Sequence, residues 1–365
     1  MPKVSIILPT YNGSDFIRDS IDSILNQTYK DWELIIVNDC STDNTLDIIH
    51  EYANNDTRIK VISNEQNQKL PKSLNIGFNS SKGDYLTWTS DDNMYRTNAI
   101  EQMVLYLEKH LEEVMVCAKF DFVDEEGNYQ STSADYSNDL MLSRDCVGAC
   151  FMYRRRVLEE VGGYDPDYFL VEDYEYWLRI LFKYGNIGYL NENLYLYRNQ
   201  SKSLTATRMK EIRYNNCRMQ LKYLDNLLDR LQDRKDVLCS MYLDFVHFRM
   251  LSSEIKNRFV EKVEELSMLL DGDLPQKVVV YGAGKIGRKF QTLHDDKILC
   301  YADRNSLIQG GKIGNKIIVS MEEMKLLSST NSIVIAAGTE KVYDFMLRLK
   351  ELGVNKCYVY RGDKF

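Results

Sequence analysis

The first 110 residues alternate short apolar runs with segments of helical period, and this alternation restricts the possible folds more than any other feature. The apolar runs, which we predict to be strands, are Val4–Leu8, Leu34–Val37, Lys60–Ile62 and Tyr85–Thr89. After the first run, Ser14 is a candidate N-cap for a helix whose apolar residues, from Phe16 to Leu25, recur at helical spacing. Such alternation gives a parallel sheet with helices on both faces, so the predicted fold class is α/β.

The sequence predicts three regions. Residues 1–205 form one α/β domain, because the less regular strands and helices after residue 110 complete the same core. Residues 206–272 contain no proline and carry leucines at helical spacing, which indicates a helical connector. Its apolar faces fit packing between domains or a homodimer interface, and the pattern leaves both open. Residues 275–365 repeat the strand–helix order as a small C-terminal domain.

Composition excludes several classes of protein. The net charge of −8 argues against a chain that coats nucleic acid or an anionic membrane. The eight cysteines include no Cys-x-x-Cys pair, so we expect reduced thiols and a cytoplasmic location. No apolar run approaches the ~18 residues of a membrane span, and the first residues lack the features of a leader. Peripheral contact with the inner face of the membrane stays open.

Polar residues follow three of the predicted strands. They are Pro9-Thr10-Tyr11-Asn12, Asn38-Asp39 and Asp91-Asp92-Asn93. Ligands of open α/β sheets bind beyond the carboxyl ends of the strands, so these residues predict a nucleotide site. Tyr11 can stack on a base, and Asp39 can accept the N3–H of uracil or of thymine. Asp91 and Asp92 are suited to Mg²⁺ or Mn²⁺.

Each of these residues also has a purely structural interpretation. A loop tyrosine such as Tyr11 often only packs, and Asp39 or Asp43 could cap the following helix. An Asp-Asp-Asn run is often a solvated turn. Their occurrence at successive strand ends favours the nucleotide and metal site.

Five longer segments point to a known family. In chain order they read VSIILPTYN, ELIIVNDCSTDNT, SLNIGFNSSKGDYLTWTSDDN, GACFMYRRRVLEEVGGYD and VEDYEYWLRI. With these segments, residues 1–205 resemble the family 2 inverting glycosyltransferases of the GT-A fold. The resemblance implies transfer of a sugar from a nucleotide-sugar donor, such as a UDP-sugar, to a glycan or lipid-linked glycan. A non-catalytic nucleotide-sugar-binding protein is the alternative.

The resemblance also implies roles for single residues. The nucleoside pocket would be lined by Pro9, Thr10 and Tyr11, with Asp39 reading uracil. Asp92 would be the direct metal ligand, with Asp91 beside it. The donor diphosphate would be bordered by Lys72 and Asn75. Asp173, in the pair Glu172-Asp173, would be the catalytic base of a single displacement.

The sequence departs from the family pattern at three positions. Asn38 stands where aspartate is frequent, and Cys40 stands where glycine is frequent. Gln200 stands where many members have histidine, so a side-chain contact to the metal or the diphosphate is in question.

The C-terminal region contains a glycine loop of its own. Gly282, Gly284 and Gly287 follow a predicted strand and open a helix, and Asp303 ends the next strand. This is the dinucleotide fingerprint in its expected context, and it predicts nucleotide contacts for all four residues. The region resembles small Rossmann-like domains. A regulatory nucleotide-binding module, a structural unit and an oxidoreductase all remain open.

Overall fold

The computed structural model describes residues 3–270 and 272–360. The chain divides into two compact units, Met1–Met219 and Gln220–Phe365, and the division falls inside a helix, α9 (Met209–Lys222). Among the described residues, no helix is long and apolar enough to cross a membrane.

The first unit is built on one nine-stranded sheet with the order β3-β2-β1-β4-β8-β6-β9-β5, with β7 added beside β6. Its strands are β1 (Val4–Thr10), β2 (Trp32–Asn38), β3 (Ile59–Ser63), β4 (Tyr85–Trp88), β5 (Met94–Tyr95), β6 (Met115–Val123), β7 (Tyr129–Thr132), β8 (Phe151–Arg154) and β9 (Gly188–Arg198).

Helices of the first unit follow the strands in the alternating order that the sequence predicts. They are α1 (Ile17–Leu25), α2 (Thr45–Asn55), α3 (Leu70–Ser80), α4 (Ala99–Lys109), α5 (Asn138–Met141), α6 (Arg155–Val161), α7 (Glu172–Tyr184), α8 (Leu204–Thr207) and the start of α9. A single turn of 3₁₀-helix, Pro166–Tyr168, precedes α7.

The parallel half of the sheet brings the predicted rim together. In the register of β1, β2 and β3, Thr10 lies opposite Asn38, and Asn38 lies opposite Ser63. β4 pairs in parallel with β1 on the other side. The carboxyl ends of these strands therefore share one edge, which is the edge where ligands of such sheets bind.

The expected parallel sheet forms among β1 to β4, and the later strands make the whole sheet mixed, because β8 runs antiparallel to both β4 and β6. One expectation about the first unit is wrong. Ser14 does not cap α1; the helix begins at Ile17 without a side-chain cap, and the Ser14 N–H donates to Asp43.

The second unit has a six-stranded sheet with the order β12-β13-β11-β10-β14-β15. Its strands are β10 (Val278–Tyr281), β11 (Ile298–Ala302), β12 (Lys312–Ile313), β13 (Lys316–Val319), β14 (Ser332–Ala336) and β15 (Cys357–Tyr360). All pairs are parallel except β12 with β13. Numbered within this unit, the parallel strands have the order 3-2-1-4-5, which is typical of doubly wound nucleotide-binding sheets.

Helices of the second unit include those of the expected connector. They are α10 (Leu224–Arg230), α11 (Lys235–His247), α12 (Ser253–Lys262), α13 (Lys285–His294), α14 (Met321–Leu327) and α15 (Thr339–Glu351). α11 packs along α15 and buries Leu238 and Tyr242. The segment expected to be a connector is thus partly a layer of the second unit.

Candidate active site

The loop after β4 holds two carboxylates with different surroundings. Asp91 Oδ2 accepts a hydrogen bond from Thr10 Oγ1 at 2.5 Å. Gly13 lies so close that a Cβ there would be 2.2 Å from the same oxygen. Burial, and then the charge of Asp92, raise the pKa of Asp91 to about 7. Asp91 therefore braces the loop after β1, and Asp92 is the carboxylate left for a cation.

Asp92 is held by the end of β9. Its Oδ2 accepts a hydrogen bond from Gln200 Nε2 at 2.5 Å. Burial raises the pKa of Asp92, while the Gln200 hydrogen bond and the charge of Arg198 oppose that rise. A buried carboxylate beside an amide is an oxygen-rich pair that fits Mg²⁺ or Mn²⁺, because rotation of the amide would present its oxygen. Gln200, whose side-chain contact the sequence left open, therefore lies beside the candidate metal ligand.

Arg198 fixes the backbone of this loop, a role that no pattern in the sequence predicted. Its Nε donates to the Asp92 carbonyl at 3.0 Å, and its Nη2 donates to Asp19 Oδ2 at 2.7 Å. Its Nη1 donates to the Glu125 carbonyl, and its guanidinium lies 4.5 Å from the centre of the Phe16 ring. The side chain is only 4% exposed. The buried cation therefore connects the Asp92 loop, α1 and the β6–β7 turn.

Asp39 is buried at the end of β2, where it holds two residues that line a pocket. Its Oδ1 accepts from Asn64 Nδ2 (2.8 Å) and the Gln68 N–H (2.7 Å), and its Oδ2 accepts from the Lys69 N–H (2.9 Å). The pocket measures about 430 Å³ and is lined by Asn64, Glu65, Gln66, Gln68 and Ile76. Because a carboxylate has about four acceptor positions, Asp39 keeps one for an N–H of a base.

The other predicted donor-site residues differ in accessibility. Tyr11 is 51% exposed and can offer a ring face. Lys72 is exposed on the first turn of α3, whereas Pro9 is buried within β1. The Asn75 amide bonds both backbone groups of Tyr164, each at 2.8 Å. Asn75 therefore holds the loop before α7, and its side chain is committed to that contact.

Asp173 lies in the first turn of α7. Its Oδ1 accepts its neighbour's N–H, that of Tyr174, at 2.7 Å, and burial raises its pKa. Glu172 Oε2 accepts the Leu170 N–H at 2.6 Å, and burial and the Asp173 charge raise the pKa of Glu172 to about 8. Leu170 has φ +79°, a conformation that costs a non-glycine residue energy. Glu172 thus stabilises the strained turn that precedes α7 and positions Asp173.

A third carboxyl group, Asp145, belongs to this cluster and had no signal in the sequence. Burial, and then the charge of Asp173, raise the pKa of Asp145 to about 8. Its Oδ1 accepts from the Val147 N–H at 3.0 Å. Because like charges repel, more than one negative charge among Asp145, Glu172 and Asp173 is disfavoured.

Tyr197 lies within electrostatic range of both groups of carboxylates. It lies in β9, next to Arg198. Burial raises its pKa first, a hydrogen bond with Thr205 opposes that rise, and the charges of Asp92, Asp173 and Asp145 raise it further. The candidate metal ligand and the candidate base, which are far apart in the sequence, therefore both lie near this hydroxyl.

Backbone strain is concentrated around this site. Within the described parts of the chain, five non-glycine residues have positive φ, and four of them flank the site: Asn12, Cys40, Lys69 and Leu170. They lie in the loops after β1, β2 and β3 and before α7. Such strain is typical of loops whose geometry is set by function.

Replacing Cys40 by glycine is expected to raise the free energy of unfolding by about 0.5–1 kcal/mol, because glycine adopts φ +66° without the steric cost. Its thiol contributes only a weak contact to the Glu65 carbonyl, at 3.6 Å. Urea unfolding would measure the change. Cys40→Ala is the control, since it removes the thiol and keeps the strain. Equal stability of the two variants would contradict this account.

Comparisons with known proteins identify the class of enzyme. The profile of Glycosyl transferase family 2 matches residues 5–162. An uncharacterized glycosyltransferase of Haemophilus influenzae is 32% identical over 221 residues, which cover 56% of this chain and 68% of that protein. The chain therefore belongs to glycosyltransferase family 2, and it is a glycosyltransferase.

Solved structures agree on the fold. S. aureus TarS 1-349 in complex with UDP-GlcNAc has a TM-score of 0.51 at 17% identity, covering 73% of this chain and 81% of that one. The mannosyltransferase PcManGT from Pyrobaculum calidifontis, in complex with GDP-Man and Mn²⁺, has a TM-score of 0.50 at 16% identity. That match covers 61% of this chain and 64% of that one. They confirm the predicted GT-A fold class.

Proposed function

We propose that this glycosyltransferase moves a sugar from a nucleoside-diphosphate donor to an acceptor hydroxyl, with a divalent cation and with inversion. The observation that carries the proposal is that Asp92, which contacts Gln200, and Asp173, which lies in the first turn of α7, are both within electrostatic range of Tyr197. A transferase of this kind needs a site for the leaving diphosphate on one side of the sugar and a base on the other. The edge of this sheet supplies both kinds of group.

On the donor side, the chain's residues bind and orient the nucleotide. Asp39 has one acceptor position left for an imide N–H, and Tyr11 offers a ring face. This favours uracil or thymine, and the UDP-GlcNAc complex of TarS supports uracil. Asp92, with the Gln200 amide turned over, would hold Mn²⁺ or Mg²⁺. When bound, the cation would stabilise negative charge on the departing diphosphate.

On the acceptor side, Asp173 removes the proton from the attacking hydroxyl. Its first-turn position in α7 places it at the positive end of the helix dipole, which helps to keep it ionised. Glu172 and Asp145, both neutral at pH 7, leave it as the single charged base. A single displacement with one base inverts the anomeric centre. The acceptor is a glycan or lipid-linked glycan of bacterial surface polysaccharide synthesis, made on the cytoplasmic side of the membrane.

Titration with UDP, with and without Mn²⁺, tests the metal and nucleotide assignments. We expect Mn²⁺ to tighten UDP binding to the wild type by at least about tenfold, and Asp92→Ala to lose that gain, because the cation loses its carboxylate ligand. Calorimetry measures both. Asp47→Ala, which removes an exposed carboxylate from α2, is the matched control.

Two outcomes would contradict the proposal. UDP binding that ignores Mn²⁺ and survives in Asp92→Ala would place the nucleotide elsewhere. Metal-dependent binding without turnover of any UDP-sugar, in the presence of lipid-linked and free glycan acceptors, would identify a nucleotide-sugar-binding protein without catalysis. Replacing UDP by dTDP in the same titration separates uracil from thymine.

A further inference from the structure

The second unit has a crevice at one edge of its own sheet. The chain leaves β10 toward β11 and later returns on the other side as β14, so the order of strands reverses between β10 and β14. Such a switch point leaves a crevice beyond the carboxyl ends of the two strands, where α/β sheets bind ligands. The helices α13 and α15 begin there, after Gly284 and Gly338.

Both helix starts lack a side-chain cap. Neither Gly284 nor Gly338 supplies a capping oxygen, whereas Ser320 and Glu323 form a full capping box at the start of α14. Orphan N–H groups at the start of a helix attract anions. At α15 the Glu340 carboxylate lies against Gly338 and already supplies negative charge, so the start of α13 is the stronger anion site.

The three glycines of the loop have different reasons to be glycine. Gly282 has φ +111°, and a Cβ there would lie 2.7 Å from the Ala336 carbonyl oxygen. A Cβ at Gly287 would lie 2.0 Å from the Gly282 carbonyl oxygen. Gly284 has an ordinary φ of −77°, and its Cβ would meet nothing within 4 Å. The chain itself therefore explains two glycines, and the space above Gly284 is left open.

A buried hydroxyl next to the loop points to a ligand independently. Tyr281 ends β10 and is 1% exposed, yet within the described residues its hydroxyl has no hydrogen-bond partner. The hydroxyl lies within electrostatic reach of Arg348 and Asp344 on α15, and of Arg304 and Asp303, which follow β11 at the same edge. A buried hydroxyl without a partner costs about 1–3 kcal/mol. A bound group at this edge would satisfy it.

Asp303 has a different role from the one that the fingerprint predicts. Its Oδ2 accepts the Ala283 N–H at 2.9 Å, and its Oδ1 accepts the Asn305 N–H at 2.9 Å. The carboxylate thus braces the glycine loop. The next residue, Arg304, has a side chain that is 56% exposed; its Nη1 lies 3.8 Å from Asp344 Oδ2, an exposed pair that an anionic ligand could replace.

From these observations we propose a second nucleotide site in this crevice, with the ligand's diphosphate on the start of α13, above Gly284. Helix N–H groups and Arg304 supply the positive charge, so this site needs no cation. It is independent of the proposed donor site, where Asp92 requires one.

The test uses the full chain carrying Asp92→Ala, in EDTA, so that the proposed donor site is silent. Calorimetric titrations with ADP, UDP, NAD⁺ and NADPH distinguish the sources of a diphosphate. We expect at least one to bind, and Gly284→Val, introduced into the same chain, to weaken it by at least about tenfold by filling the open space. Because φ at Gly284 is ordinary, that variant is expected to keep the melting temperature of its parent.

Thr330→Val, at the opposite edge of the sheet, is the matched control and is expected to bind as the parent does. Arg304→Gln provides a second variant and is expected to weaken the same ligand. The proposal is overturned when none of the four nucleotides binds at millimolar concentration, or when Gly284→Val folds and binds like its parent. Neither result bears on the donor site, which is tested with Mn²⁺ present.

Discussion

Replacing Asp173 by asparagine is expected to lower kcat by about 10²- to 10⁴-fold, the usual contribution of a general base. Asparagine has the same shape, and its Oδ1 can still accept the Tyr174 N–H that Asp173 Oδ1 accepts now. The fold and the binding of UDP should therefore be unchanged. Steady-state kinetics with a UDP-sugar would show a loss in kcat at similar KM. Asp167→Asn, an exposed residue in the preceding loop, is the matched control.

The pH profile supplies an independent readout. Activity needs ionised Asp173, and burial raises its pKa, so the acid limb should lie above the ordinary value of an aspartate, about 4. Asp145 and Glu172 ionise only near pH 8, and their charges would then oppose negative charge on the leaving group. Activity should fall there. Asp145→Asn combined with Glu172→Gln mimics both neutral forms and should move that fall to higher pH; an unmoved profile in the double variant would show that neither group causes it.

Replacing Arg198 by methionine is expected to have the second-largest effect. Methionine can fill the buried space, but the carbonyls of Asp92 and Glu125 and the Asp19 carboxylate lose their donor, at about 0.5–1.5 kcal/mol for each hydrogen bond. We expect the free energy of unfolding to fall by about 2–4 kcal/mol. Because the Asp92 loop is then free to move, the Mn²⁺ concentration for half-maximal activity should rise by about tenfold.

Arg96→Met separates positioning from stability. Arg96 also makes a charged pair, to Asp121 Oδ2 at 2.7 Å, but it does not touch the Asp92 loop. Both variants should lose stability in urea, and only Arg198→Met should change the Mn²⁺ dependence. If the two variants show the same Mn²⁺ dependence, Arg198 contributes only to stability and does not position the Asp92 loop.

The sequence predicted those parts of the site that lie on consecutive strands and helices. Tyr11, Asp39 and Asp92 follow β1, β2 and β4, which are neighbours in the sheet. The apolar run that marks each strand in the sequence is enough to place these residues at the strand ends. The roles of Arg198 and Asp145 could not be found in this way, because each depends on a partner far along the chain: Asp92 and Asp173. Nor could the sequence show that Asp91 accepts a hydrogen bond from Thr10, because that contact depends on how closely the loops after β1 and β4 approach each other.

The same limit applies to the glycine loop. Spacing identified Gly282, Gly284 and Gly287 as a set, and only the structure shows that Gly284 has no contact that requires it. Spacing also suggested a ligand contact for Asp303, whereas the structure shows it bonded to the loop's own backbone.

The mixed sheet of the first unit has a consequence for the order in which activity can appear as the chain is made. The strands β1 to β4 pair with one another within the first 90 residues, so the donor edge can form early during synthesis from the N-terminus. The base on α7 comes later in the chain, and the Gln200 contact to Asp92 follows β9, which pairs with β6. A nascent chain that ends near residue 165 could hold the nucleotide edge without the base. Competence to bind would then precede competence to transfer.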